Sequence, residues 1–275
     1  MSERRRLLGP ANTFIPNIGI TSTTEEAVKT RKRDEIRKFF LKTGLIENAN
    51  GSAYLEADGT IVQVLVFGPR PIRGSFIERA SFSVECKFLP HIAQPNEGIF
   101  NTGSNNNNGN YRTGLTNIEQ KISSYIETSL LPSIILEKYP KSTIDVFITV
   151  ISSDSIEDHG GKTTNSGLLN LVNWVLNCSS VALADSGIEL KDIVSSGVVR
   201  LDKEGIVLDP QETGGEGIDG LVSFMNLRND EIVGFWMEGD EDLEEKDVER
   251  IIDGCNTMSK KIRANINSYL LEQAS

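Results

Sequence analysis

The chain has 275 residues, 38% hydrophobic and 24% charged, with 39 acidic against 28 basic side chains and a net charge of −11. A chain of that length buries about three quarters of its unfolded surface without a disulfide or metal staple, and the acidic excess argues against a surface that binds nucleic acid everywhere. Cys86, Cys178 and Cys255 are widely spaced without a CxxC pair, and His91 and His159 are the only histidines. This pattern points to buried, reduced thiols in the cytosol or nucleus and excludes a histidine-rich metal centre.

Residues 1–38 are polar and charged, with Pro10 and Pro16 early, and are expected to form an extended arm ahead of a domain spanning 39–275. The basic stretch Met1 to Pro10 has no apolar segment behind it, and no run is read as long enough to cross a bilayer. The chain is therefore expected to be neither secreted nor membrane-spanning. Arg31 to Phe40 admits a short helix, although a solvated segment is the commoner outcome for such a basic run.

Ala53 to Ala57 and Ile61 to Phe67 are rich in β-formers, and Asp58-Gly59 between them supplies residues that tolerate positive φ, so a hairpin is predicted. The second strand is almost continuously apolar, which predicts burial on both faces. Pro69 cannot donate to a sheet ladder, so pairing is expected to stop there and leave Arg70 and Arg73 on a loop. Ala80, Phe82, Val84, Cys86 and Phe88 alternate with polar residues, the mark of a strand with one buried face. About residues 90–116 glycine and asparagine dominate, and a mobile surface loop is expected.

From Thr116, Ile118, Ile122, Ile126 and Leu130 recur every fourth residue and predict a helix that stops near Pro132. Thr143 to Ser152 reads as a strand. Asn165 or Ser166 can cap the next helix, whose Leu168, Leu171, Val172, Val175, Leu176 and Ala182 make a wide apolar face ending at Gly187. Val194 to Leu201, Gly205 to Asp209, Leu221 to Leu227 and Glu231 to Met237 are strand candidates, and Leu243 to Leu271 has the apolar period of a final helix. The order is that of an α/β protein of repeated βαβα type, with mixed sheets and packed helices.

Two phosphate-binding patterns fail on context. Gly161-Lys162-Thr163 resembles the end of a P-loop, but its first glycine position is Ile156. Gly215 to Gly220 matches GxGxxG yet precedes a strand instead of a helix, so it reads as a surface turn.

The segment TGLIENANGSAYLEADG, with GPRPIRGSF after it, resembles the RNase PH family, and in detail its eukaryotic relatives that form the ring of the RNA exosome. Leu7 to Pro10, Tyr139 to Phe147, Ala182 to Leu190 and Glu231 to Trp236 extend the likeness over most of the chain. The resemblance implies an RNase PH-like fold of the ribosomal protein S5 domain 2-like type, with the arm wrapping a neighbouring subunit. It implies two phosphate-binding arginines, but Ile118 or Glu119 stands where the first is expected and Thr163, beside Lys162, where the second is. The expected acidic positions fall near Gly214 and Gly220, with Glu216 and Asp219 close by. Loss of both arginines and the aligned acids would remove electrostatic stabilisation and acid catalysis, so no catalysis and no cofactor are expected.

What the resemblance implies instead is a structural subunit. It would pair with other RNase PH-like subunits in a hexameric ring, support S1/KH-type RNA-binding cap proteins and guide single-stranded RNA to a 3′-to-5′ nuclease subunit. The work is ribosomal RNA maturation and RNA decay in nucleus, nucleolus and cytoplasm. Arg70 and Arg73 would then lie on a loop facing the central pore, where cations follow a single strand's phosphates. The alternative is an active phosphorolytic exoribonuclease in which Lys162 and Asp219 replace the usual groups.

Overall fold

The computed structural model describes residues 31–92, 115–153, 166–203, 205–210, 217–225, 229–239 and 244–274. Chain contacts divide it into two units, Met1–Lys32 and Arg33–Ser275, and every element named here belongs to the second.

The first sheet is built around a hairpin. β2 (Gly51–Ala57) and β3 (Thr60–Pro71) pair from Ala57↔Thr60 outward, so Asp58-Gly59 is a two-residue loop. Of the two, Asp58 takes the positive φ, 51°. β1 (Phe39–Thr43) adds outside β2, and β5 (Ser142–Ser152) and β4 (Ser81–Phe88) add beyond β3, giving the order β1-β2-β3-β5-β4. β4 and β5 run parallel because α1 (Asn117–Leu130) crosses between them. Thr116 caps α1 in a capping box with Glu119, and a one-turn 3₁₀ segment containing Pro132 ends it.

The second half supplies the other sheet, β7-β6-β8-β9, from β6 (Ser195–Asp202), β7 (Gly205–Leu208), β8 (Ile218–Met225) and β9 (Glu231–Glu238). α2 (Ser166–Asp185) packs on β2 and β3 of the first sheet and on β6 and β8 of the second. α3 (Glu245–Ala274) covers β6, β7 and β8 from the opposite side. Gly197 marks that contact, since a Cβ there would stand 2.2 Å from the carbonyl oxygen of Cys255.

Several expectations change in three dimensions. Burial on both faces belongs to β6 and β8, which lie between helices, whereas β3 alternates between buried and half-buried residues because no described helix covers its outer side. α2 has no solvent face: Leu168 to Leu183 are buried, including Asn170, Asn173 and Asn177. Two of the asparagines bond β6, where Ser196 N donates to Asn177 Oδ1 at 3.1 Å and Ser196 Oγ to Asn173 Oδ1 at 2.8 Å. Gly167–Asp185 is in fact long and apolar enough to cross a membrane, with mean hydropathy 1.4, but 94% of that window is buried between the sheets.

Phe39–Thr43, at the start of the expected domain and partly inside the run that admitted a short helix, is a strand, and Arg37 just before it is buried, not solvated. The asparagine-rich stretch 93–114 and the proposed caps around Asn165 lie outside the described residues.

All three cysteines are buried and free, and burial governs their chemistry. It pushes the thiols of Cys86 and Cys178 far above the ordinary 9.0 and that of Cys255 up to about 12. Burial likewise pushes the Tyr125 phenol up to about 12 from 10.0. The folded chain holds these protons where the unfolded chain releases them, so stability is full below pH 9 and falls above it, by up to about 1.4 kcal/mol per pH unit for each group. Thermal melts are expected to show a falling Tm above about pH 9, with thiol reagents inert until unfolding. A Tm that stays level through this range would contradict the assignment.

Candidate functional site

Arg70 is not on a loop. A bulge between Phe67 and Arg70, containing a cis Gly68-Pro69 bond, carries the chain past Pro69, and pairing resumes at Arg70↔Thr143 and Pro71↔Ser142. The Arg70 guanidinium donates to Asp145 Oδ2 at 2.7 Å and lies 5.3 Å from the Phe67 ring centroid. Asp145 also accepts from Ser83 Oγ and Thr143 Oγ1, at 2.8 and 2.9 Å. Phe67 meets Phe147 edge-on at 5.7 Å. The Arg70 side chain is 51% exposed, so its pairing with Asp145 contributes only about 0.2–1 kcal/mol and yields readily to a phosphate.

The loop proper follows. Ile72 N donates to Lys141 O and Lys141 N to Ile77 O, which pins both ends of residues 72–77 to the start of β5. Arg73 and Phe76 on this segment and Arg79 just after it are exposed, Phe76 by 69%. The result is a run of cations with an aromatic ring among them, the combination that follows a single-stranded backbone and stacks on its bases.

The position expected for the first phosphate arginine carries the opposite chemistry. Ile118 is 1% exposed and packs in the core. Glu119 beside it is 5% exposed, with Oε1 accepting from Phe88 N at 2.9 Å and Oε2 from Thr116 N at 2.7 Å. A carboxylate so placed repels phosphate and is already committed to closing the end of β4 and the start of α1. Lys162 and Thr163, the second half of the expected site, lie outside the described residues, as do Gly214 and Glu216.

The acidic groups of the second sheet are clamped. Asp219 and Arg200 face each other across β8 and β6, joined by Nε–Oδ1 at 2.6 Å and Nη2–Oδ2 at 2.9 Å, both side chains under 10% exposed. Asp209 accepts from Arg37 Nε at 2.9 Å, from Arg37 Nη2 at 2.8 Å, from the Arg37 backbone N at 2.8 Å and from Asn170 Nδ2 at 3.3 Å. Among the described residues no group of three or more histidine, cysteine or carboxylate side chains could hold a metal ion.

Asp219 and the first turn of α1 do share a neighbourhood, through a residue the sequence reading passed over. Asp219 pairs with Glu238 on β9, and Glu238 Oε1 lies 3.8 Å from Lys121 Nζ. Lys121 sits 4.4 Å from the Trp236 ring centroid, and Trp236 packs at 5.3 Å on Tyr125. Arg70 is elsewhere. It is level with Ser81 through Thr143, whereas Glu119 bonds Phe88, and seven residue steps along β4 separate the two by about 23 Å.

This architecture, a mixed five-stranded and an antiparallel four-stranded sheet enclosing a helix, is an RNase PH-like fold. Residues 35–189 match the RNase PH model, described as 3′ exoribonuclease family, domain 1, and the chain belongs to that family. It is 30% identical over 264 residues to "Exosome complex component MTR3" of Chaetomium thermophilum, covering 87% of each chain. It is 33% identical over 203 residues to "Exosome complex component mtr3" of Schizosaccharomyces pombe, covering 72% of this chain and 67% of that one. Among solved structures it shares its fold with rice Rrp46, at TM-score 0.67 and 20% identity over 88% of this chain and 98% of that one.

Arg200→Ala leaves Asp219 charged and buried without its guanidinium, and is expected to destabilise the chain by about 3–5 kcal/mol. The double change Arg200→Met with Asp219→Leu should recover most of that loss in denaturant titrations. Equal stability of the single and double variants would show that the pair is not what holds β6 to β8.

Proposed function

We propose that the chain is a non-catalytic ring subunit of the RNA exosome, of the mRNA transport regulator type. It assembles with other RNase PH-like subunits, supports the S1/KH-type cap and passes single-stranded RNA to a separate 3′-to-5′ nuclease, in nucleus, nucleolus and cytoplasm. The observation that carries the absence of catalysis is Glu119. Where phosphorolysis needs a cation to hold phosphate, this chain has a buried carboxylate with both oxygens engaged, next to the buried Ile118. The names of its relatives, both exosome complex components, support the assembly.

The active-enzyme alternative needs Asp219 as an acid. Both Asp219 oxygens are instead engaged by the Arg200 guanidinium, at 2.6 and 2.9 Å, which leaves neither turned to a substrate. Arg70 and Arg73 serve RNA passage in this reading, Arg70 by exchanging Asp145 for a phosphate.

Incubated with single-stranded RNA and inorganic phosphate, the purified chain is expected to release no nucleoside diphosphate even at high concentration. Release that Lys162→Ala abolishes would restore the enzyme reading. In the reconstituted ring, Arg70→Glu with Arg73→Glu should weaken RNA binding and lower the log–log salt slope by about 1.4, the loss of two single-strand phosphate contacts. An unchanged slope would remove these residues from the RNA path.

A further inference from the structure

β1 is the outer strand of the first sheet, and hydrogen-bond parity shows which of its backbone groups have no strand partner. In the two-residue hairpin Ala57 and Thr60 exchange hydrogen bonds, so Ala57, Leu55 and Ala53 point their N–H and C=O groups at β3, while Glu56 and Tyr54 point theirs at β1. Their register partners on β1 are Phe40 and Lys42. Phe39, Leu41 and Thr43 therefore point outward. The termini of this outer edge agree with that parity, because Thr43 N donates to the Tyr269 hydroxyl at 2.9 Å and Arg37 N to Asp209 Oδ2 at 2.8 Å. Between these two capped ends, Phe39 and Leu41 present two N–H and two C=O groups to which no described residue bonds.

They open into a groove of about 990 Å³ between residues 34–41 and α3, whose far wall includes Ile262, Ala264, Asn265 and Tyr269. Phe40, 55% exposed, stands on the outer face beside it. We propose that this slot is a β-augmentation site that takes an extended, uncharged peptide segment of a partner protein as a sixth strand of the first sheet. Alternating donors and acceptors two residues apart, about 6.8 Å, match another strand and nothing else of comparable simplicity. The charges lining the slot cancel: Asp34 and Glu35 stand against Lys38 and Lys261, and Arg37 is neutralised by Asp209. A polyanion gains nothing there, which favours peptide over RNA. The occupant's inward side chains would meet Ala264 and Tyr269 and its outward ones Phe40, so its central residues are apolar. The short edge and its capped ends exclude indiscriminate pairing.

Residue-resolved hydrogen exchange on the full chain tests this. Alone, the amides of Phe39 and Leu41 are expected to exchange at least about tenfold faster than those of Phe40 and Lys42. An acetylated, amidated pentapeptide of alternating threonine and valine, at about 10 mM, should slow Phe39 and Leu41 at least about threefold and leave Phe40 and Lys42 unchanged. Ala264→Arg, at an exposed helix position lining the slot, should abolish the slowing. No slowing, equal slowing in the Ala264→Arg chain, or the same slowing from oligoadenylate in place of peptide would each overturn the proposal.

Discussion

The fold depends on α2 being shared. One helix fills the space between a five-stranded and a four-stranded sheet, and it turns apolar and hydrogen-bonding residues alike into the interior. Leu168, Leu171, Val172, Val175 and Leu176 supply apolar area, which drives burial at about 25 cal/mol per Å². Asn173 and Asn177 supply hydrogen bonds to Ser196, so the polar stripe that would mark a surface helix becomes a specific contact to one strand. β6 is then gripped from both sides, by asparagines from α2 and by Ser259 and Cys255 from α3. A strand held in this way fixes the register of everything paired to it.

The buried ion pairs follow from the same geometry. Arg200–Asp219 bridges adjacent strands, and Arg37–Asp209 ties the approach to β1, in one sheet, to the end of β7, in the other. The second pair has three reinforcements: the Arg37 backbone amide, Asn170, and the Trp174 ring 5.9 Å from the guanidinium. Buried pairs add little net stability relative to apolar residues of similar size, but each becomes costly once one partner is lost. Their consequence here is functional. Carboxylates that could serve as acids or metal ligands are committed to fixing the two sheets, so the region where family chemistry would be sought is built for rigidity.

Local chemistry made much of this legible. The β2–β3 hairpin was readable because Asp58-Gly59 is a turn whatever surrounds it, and α1 because Thr116 and Glu119 form its cap within four residues. What could not be read depends on distant partners. Arg37 resembles its solvated neighbours until Asp209 arrives 172 residues later. β3 is more apolar than β6, yet β6 is the doubly buried strand, because burial is decided by which sheet receives α3 on its second face. Arg70 was misplaced for a subtler reason. Pro69 does interrupt the ladder, but a bulge absorbs the interruption in two residues and the strand resumes. That neither Ile118 nor Glu119 is an arginine is plain from the sequence, whereas the use made of Glu119 is not, since its acceptor role needs the end of β4 beside it.

The division of charge between the ends of the first sheet then decides what sort of surface each can be. At the Arg70 end the cations are exposed and weakly paired, so a phosphate can displace Asp145 at little cost, and the nearby aromatic rings add contact that does not depend on base identity. Some 23 Å away along β4, both oxygens of the buried Glu119 are held by backbone amides that cannot move without unravelling α1 and β4. One end presents displaceable cations to solvent, and the other holds a carboxylate that the fold itself has fixed.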